Sequence, residues 1–193
     1  MRTNALATFT ETGVEFVDGS TYDFDVLVLA TGFDSFTGGA FTQIDITGRD
    51  GRKLAEEWTH QGPATYLGGL STAGFPNMVL VANVGSPSVL ANMITAIEQH
   101  VEWVSHMLAD QKANGRTTIE AEPIAQKQWV ETVEAIANMT LWPPQGDSGS
   151  WYRGANIPPG KPQLFMPYAG GVVEYEKAID ATRENNYSGF VTA

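Results

Sequence analysis

Four consecutive apolar residues, Val26-Leu27-Val28-Leu29, run straight into Ala30-Thr31-Gly32, and no other feature limits the fold as much. A strand apolar on both sides is stable only inside a sheet covered on both faces, as in parallel α/β sheets. A second such run, Met78 to Ala82, follows the turn Gly74-Phe75-Pro76-Asn77. Buried strands of this kind need covering helices, so the expected class is α/β. The first run should be followed by a glycine-rich nucleotide turn if it opened a dinucleotide site, and no Gly-x-Gly occurs anywhere in the chain. Part of the sheet is therefore expected from elsewhere.

Before that run, Val14 and Phe16 are spaced to face Tyr22 and Phe24 across an Asp18-Gly19 turn, the pattern of a hairpin. After it, the apolar positions Leu90, Met93, Ile94, Ile97, Val101, Val104 and Leu108 recur at three- and four-residue spacing. They predict a long helix that starts after Pro87 with Ser88 as N-cap, stops at Gly115, and extends for roughly 40 Å. A second helix should open near Pro123 and carry Trp129, Val133 and Ile136 on one face. From 143 to 162 the chain holds five Pro, four Gly and two Ser, which predicts a long, mobile loop around Trp151 and Tyr152. A strand at Leu164 to Met166 and a helix from about Val173 to Asn185 should close the chain.

Charge and composition exclude several functions. The 22 acidic against 11 basic residues remove the driving force for tracking phosphates, so nucleic acid is not an expected partner. Neither is a membrane, since no apolar run reaches the roughly 18 residues of a span. Without cysteine there is no thiolate metal site or Cys nucleophile. His60, His100 and His106 have no metal-ligand spacing, Glu56 and Glu57 point to different faces of a helix, and no Gly-x-Ser-x-Gly is present. The N-terminus does not read as a signal peptide, and a cytoplasmic chain is expected.

Four segments taken in order carry a resemblance: Leu29-Ala30-Thr31-Gly32-Phe33-Asp34, Gly85-Ser86-Pro87-Ser88, Ile97-Glu98-Gln99-His100-Val101-Glu102-Trp103 and Gly154-Ala155-Asn156-Ile157-Pro158. Together they resemble the C-terminal half of the flavin-dependent Baeyer-Villiger monooxygenases, with the phenylacetone and steroid branch as the nearest pattern. The resemblance implies the C-terminal part of a Rossmann-like flavoprotein with two dinucleotide-binding domains. Residues 1–29 would end the NADP-domain segment, and residues 30–193 would form the C-terminal part of the FAD domain. It also implies FAD and NADPH as cofactors, O2 and a ketone as substrates, an ester or lactone as product, and a partner segment carrying both dinucleotide fingerprints. Oxygenation at nitrogen or sulfur is an alternative, as is a non-catalytic remnant or partner-binding module.

By the same resemblance Thr31 and Gly32 mark the crossover into the FAD domain. Ser88, Asn92 and Met93 border the flavin, Ser88, Leu90 and Met93 form part of the ketone pocket, and Trp151 is a contact to NADP. No catalytic residue is expected in the chain. The sequence departs from the family by lacking both phosphate loops, the aromatic-Gly, His and Trp-Pro fingerprint, and the upstream arginine placed near the flavin. Asn83-Val84 stands where the family has Gly-Pro, and Pro159 is an additional residue in a Pro-Gly-Lys run.

Overall fold

The computed structural model describes residues 4–30, 41, 43–142, 151–154 and 162–193. The chain divides into two compact units, Met1–Gly32 and Phe33–Ala193. The first is an antiparallel meander of β1 (Leu6–Phe9), β2 (Gly13–Phe16) and β3 (Thr21–Asp23). The expected hairpin is β2–β3: Val14 stands opposite Tyr22, and the Phe16 ring meets Tyr22 edge-on at 5.8 Å. Its turn is set by Asp18, whose carboxylate accepts the Ser20 N–H at 2.9 Å, and by Gly19 at a φ of 80°. The sequence pattern missed β1.

Val26 to Leu29 is not the buried strand that its apolarity predicts. Among the described residues it pairs with no strand, and Val26 and Val28 are 77% and 79% exposed. The reason is physical: a strand exists only with a neighbour to take its N–H and C=O groups, and this run has none within the described chain. Met78 to Ala82 also fails to form a strand. It is a half-buried extended stretch ending in a turn, tied by single bonds such as Leu80 N–H to the Gly69 carbonyl at 2.8 Å. Leu164 to Met166 is likewise irregular and not a strand.

The second unit is built from α1 (Leu54–Gln61), α2 (Met93–Ala113), α3 (Pro123–Asn138) and α4 (Val172–Glu184), with the small antiparallel pair β4 (Ile119–Ala121) and β5 (Phe190–Thr192). Pro123 occupies the first turn of α3, where a missing N–H costs nothing, and Trp129 and Val133 lie buried on its inner face. Trp103 of α2 sits at the centre. Its indole donates to the Ile179 carbonyl of α4 at 2.9 Å, and its ring packs 5.6 Å from Phe190.

The long helix differs from expectation in start and in phase. Ser88 opens only a 3-10 turn, Ser88–Leu90. The helix itself begins at Met93, capped by Asn92, whose side chain accepts the Ile94 N–H at 3.0 Å. At 21 residues it is about 32 Å long. Its buried face is Ala96, His100, Trp103, Met107 and Gln111, whereas Ile94, Val101 and Leu108 of the expected inner stripe are exposed. The core face includes His and Gln, so apolarity alone selected the wrong side.

His100 earns its place inside by a fully specified hydrogen-bond chain. The Ala82 N–H donates to its Nδ1 at 3.1 Å, and the Tyr175 hydroxyl donates to the Leu67 carbonyl at 2.8 Å. Nε2 must therefore carry the proton and donate to the Tyr175 oxygen. Burial holds the ring neutral, with its pKa lowered from 6.5 to about 4. The unfolded chain binds this proton first as pH falls, so the contribution is complete above pH 6.5 and disappears on descent to about pH 4, on the order of 3 kcal/mol. Urea midpoints across that range should fall for the natural chain and stay nearly flat, apart from the shared carboxylate titration, for His100→Gln, whose amide can keep both bonds. Parallel curves for the two would contradict this assignment.

Candidate functional site

Gly85-Ser86-Pro87-Ser88, the segment that leads toward α2, is clamped from all sides by bonds to its backbone. The Gly85 N–H donates to the Met166 carbonyl, and the Gly85 carbonyl accepts the Trp129 indole N–H at 3.2 Å. Thr65 donates to the Val84 carbonyl at 2.6 Å, and the Tyr168 N–H to the Ser86 carbonyl at 2.7 Å. Gly85 has a φ of 81°, and a Cβ there would lie 2.8 Å from the Trp129 nitrogen, so both conformation and space demand glycine. The Trp129 and Tyr168 rings stack at 5.5 Å, which fixes the clamp against the core. This rigidity delivers the backbone to Asn92 and Met93 at the helix start in one conformation. Met93 is the first residue of α2 and 44% exposed, and Leu90 is also open to solvent.

The turn bearing Trp151 is held by different chemistry. Trp151–Arg153 forms a 3-10 turn in which Trp151 is half-buried, with its ring 4.2 Å from that of Tyr152. Arg153 is buried and pairs with Glu134 of α3 at 2.7 Å, while the other Glu134 oxygen accepts the Phe165 N–H at 2.9 Å. The guanidinium also lies over the Phe165 ring at 5.3 Å. One carboxylate thus fixes two chain segments to a helix.

Met166 joins the two candidate regions. Its N–H donates to the Tyr152 carbonyl at 2.8 Å, and its carbonyl receives the Gly85 N–H. The structure therefore ties the Trp151 turn and the Gly85–Ser88 segment to the N–H and the carbonyl of a single residue, Met166. Sequence reasoning missed Met166, Tyr168, Thr65 and Glu134, since all four act on or through backbone groups and none belongs to a motif. Thr31, Gly32 and the Ala155-Asn156-Ile157-Pro158 stretch lie outside the described residues.

A flavin finds a partial fit in these residues. The start of α2 would turn the positive end of its helix dipole toward an electron-rich ring edge. In the Gly85–Ser88 segment the Ser86 hydroxyl is buried and without a partner among the described residues. A pyrophosphate finds no glycine-rich cradle, because the sequence has no Gly-x-Gly.

No family model matches the chain. Acetone monooxygenase (methyl acetate-forming) of Gordonia sp. strain TY-5 is 39% identical over 191 residues, covering 98% of this chain and 34% of its own length. Phenazine N-monooxygenase PhzNO1 of Lysobacter antibioticus is 34% identical over 188 residues, covering 97% of the chain and 33% of its own. The crystal structure of cyclohexanone monooxygenase from Rhodococcus sp. Phi1 bound to NADP+ superimposes with a TM-score of 0.79 at 38% identity, over 98% of this chain and 34% of that one. That of OTEMO in complex with FAD and NADP gives 0.78 at 32% identity, over 98% and 33%. The chain spans about a third of the length of the relatives it matches. Its mixed helix and sheet architecture is that of the corresponding third of these flavoproteins.

The Glu134 anchor makes a prediction. Glu134→Ala leaves the buried Arg153 charge without its carboxylate and should cost about 3 kcal/mol in urea unfolding, the cost typical of breaking a buried pair. It should also speed tryptic cleavage after Arg153 in native buffer. Unchanged stability and unchanged cleavage would show that the pair does not hold the Trp151 turn.

Proposed function

We propose, from the kinship of this chain with one third of the Baeyer-Villiger monooxygenases, that it forms the C-terminal part of an FAD- and NADPH-dependent enzyme inserting oxygen beside a ketone carbonyl to give an ester or lactone. The observation that carries this reading is the match over 98% of the chain to an acetone monooxygenase, with the clamped Gly85–Ser88 segment inside it. Residues 1–29 are assigned to the end of the NADP domain and 30–193 to the C-terminal part of the FAD domain. The division into the units Met1–Gly32 and Phe33–Ala193 supports that assignment. A cytoplasmic location is part of the same proposal. Among the described residues no helix is long and apolar enough to cross a membrane.

When bound, the flavin, reduced by NADPH, supplies the oxygen-transfer chemistry with O2. The residues of this chain position and shield. Ser88, Asn92 and Met93 would border the flavin at the start of α2, with Thr31 and Gly32 contributing at the crossover. Ser88, Leu90 and Met93 would line the ketone side. The Trp151 indole N–H would contact NADP, held in reach by the Arg153–Glu134 anchor. None of these side chains is assigned a proton transfer. A second reading, oxygenation at nitrogen, rests on the phenazine N-monooxygenase among the relatives.

The chain alone lacks a phosphate cradle, so purified by itself it should hold no stoichiometric FAD and show no NADPH- and ketone-dependent O2 uptake. A monomer that keeps flavin and turns ketone into ester would refute this. Put in place of the matched third of the Gordonia acetone monooxygenase, the chain should restore flavin binding and ketone oxidation. In that chimera Trp151→Ala should lower the fraction of NADPH oxidation that ends in ester, or raise the KM for NADPH. If neither moves, Trp151 is not the NADP contact.

A further inference from the structure

Asn83 and Val84 open the turn that delivers the Gly85–Ser88 segment, and they stand where the sequence departs from the family's Gly-Pro. The Ser86 N–H donates to the Asn83 carbonyl at 3.0 Å, which closes a four-residue turn with Val84 second and Gly85, at a φ of 81°, third. A positive φ at the third place is the pattern of a type II turn. Pro is favoured at its second place, because the ring presets φ there. Val84 lacks that restraint and adds an N–H.

Val84 is buried, and its N–H bonds to no backbone carbonyl among the described residues. A donor left bare inside favours any conformation that exposes it to water. The Asn83 side chain meets the need, since its Oδ1 accepts the Val84 N–H at 2.8 Å. A glycine at 83 could not do so, and a proline at 84 would not require it. The turn is tied on both sides of this bond: the Asn83 N–H donates to the Gly68 carbonyl at 3.2 Å, and the Thr65 hydroxyl donates to the Val84 carbonyl at 2.6 Å. Ala82, just before it, has a φ of 50°, a left-handed conformation that a residue with a Cβ keeps only where its neighbours hold it.

We propose that Asn83 is a positioning residue for the oxygenation described under Proposed function, and that Asn83 and Val84 form a compensated pair. Capping one N–H with a side chain does here what a proline does by having none. The inference rests on the reading under Proposed function, in which Gly85–Ser88 leads to the flavin side of α2. In this role Asn83 needs no contact with cofactor or ketone. It acts through Val84 on the backbone of the segment.

The pair allows an exchange test. Asn83→Ala, Val84→Pro and the double variant are compared in the acetone monooxygenase chimera for flavin content and for the fraction of NADPH oxidation that ends in ester. The same three are compared in the isolated chain by hydrogen exchange at the Ser86 amide, which closes the turn. Asn83→Ala leaves the Val84 N–H bare, so the ester fraction should fall by roughly threefold or more and Ser86 exchange should quicken by roughly tenfold or more. Val84→Pro alone should leave both within about twofold, since it removes no backbone bond. The double variant should return both to within about twofold of the natural chain, because no N–H is left to cap. A loss in Asn83→Ala that Val84→Pro does not restore assigns Asn83 to packing alone and overturns the proposal. If Asn83→Ala empties the chimera of flavin, return of flavin in the double variant supports the pair, and continued absence overturns it. Flavin held with an ester fraction untouched by Asn83→Ala overturns the positioning role and leaves the broader reading intact. An unmutated chimera that holds no flavin overturns that broader reading, and the positioning role falls with it.

Discussion

Neutral His100 is the point through which the larger unit is organised. Its ring takes the Ala82 N–H on one nitrogen and gives a proton to Tyr175 with the other, and Tyr175 passes the chain to the Leu67 carbonyl. Four parts of the chain are thereby fixed together: α2, α4, the turn at 67–69 and the stretch ahead of Gly85. The arrangement is consistent only if His100 stays uncharged and Tyr175 stays a phenol, and burial enforces both by lowering one pKa and raising the other. A buried polar chain with every member satisfied specifies a single packing more narrowly than apolar contact does. Close approach is part of it, since a Cβ on Gly68 would lie 2.5 Å from the Tyr175 hydroxyl.

From this chain the candidate site inherits its geometry. Ala82 leads into Gly85–Ser88, whose carbonyls are taken by Trp129 and Tyr168, and Met166 hands the restraint on to Tyr152 and the Trp151 turn. The interior of the unit has its backbone groups satisfied at these points. Apolar surface is exposed along α2 and, in the smaller unit, along Val26 to Leu29. Exposed apolar surface of this extent is what a part of a larger fold presents when its complement lies on another segment. The chain spans about a third of the length of the related monooxygenases.

The same contrast explains what was legible in the sequence. The β2–β3 hairpin, α3 behind Pro123, and α4 were readable because local signals settle them: a turn with its Asp and Gly, a helix start that tolerates Pro, and a short amphipathic repeat. Val26 to Leu29 was misread because apolarity does not by itself make a strand, which needs a neighbour for its N–H and C=O groups, and none lies among the described residues. The α2 stripe was misread through apolarity as well. Its apolar seam faces outward here, while the core face spends His100 and Gln111 on positions that hydropathy counts as polar. Ser88 and Asn92 are both good cap residues, and only the geometry of the 3-10 turn between them decides for Asn92. The candidate site was expected from an ordered set of segments, but the residues that hold those segments, Met166, Tyr168 and Glu134, reach across 14 to 82 positions of sequence through backbone groups. No local pattern announces such bonds.

A buried polar core holds the candidate site while the apolar residues Val26 to Leu29 and the outer face of α2 stay exposed among the described residues. Hydrogen exchange on the isolated monomeric chain tests it most directly. The amides of Ala82, Gly85 and Tyr168, bonded to His100, Met166 and Ser86, should be among the slowest to exchange, while those of Val26 to Leu29 should exchange at nearly the rate of an unstructured peptide. Fast exchange at Ala82 and Tyr168, or strong protection across Val26 to Leu29 in a monomer, would contradict it.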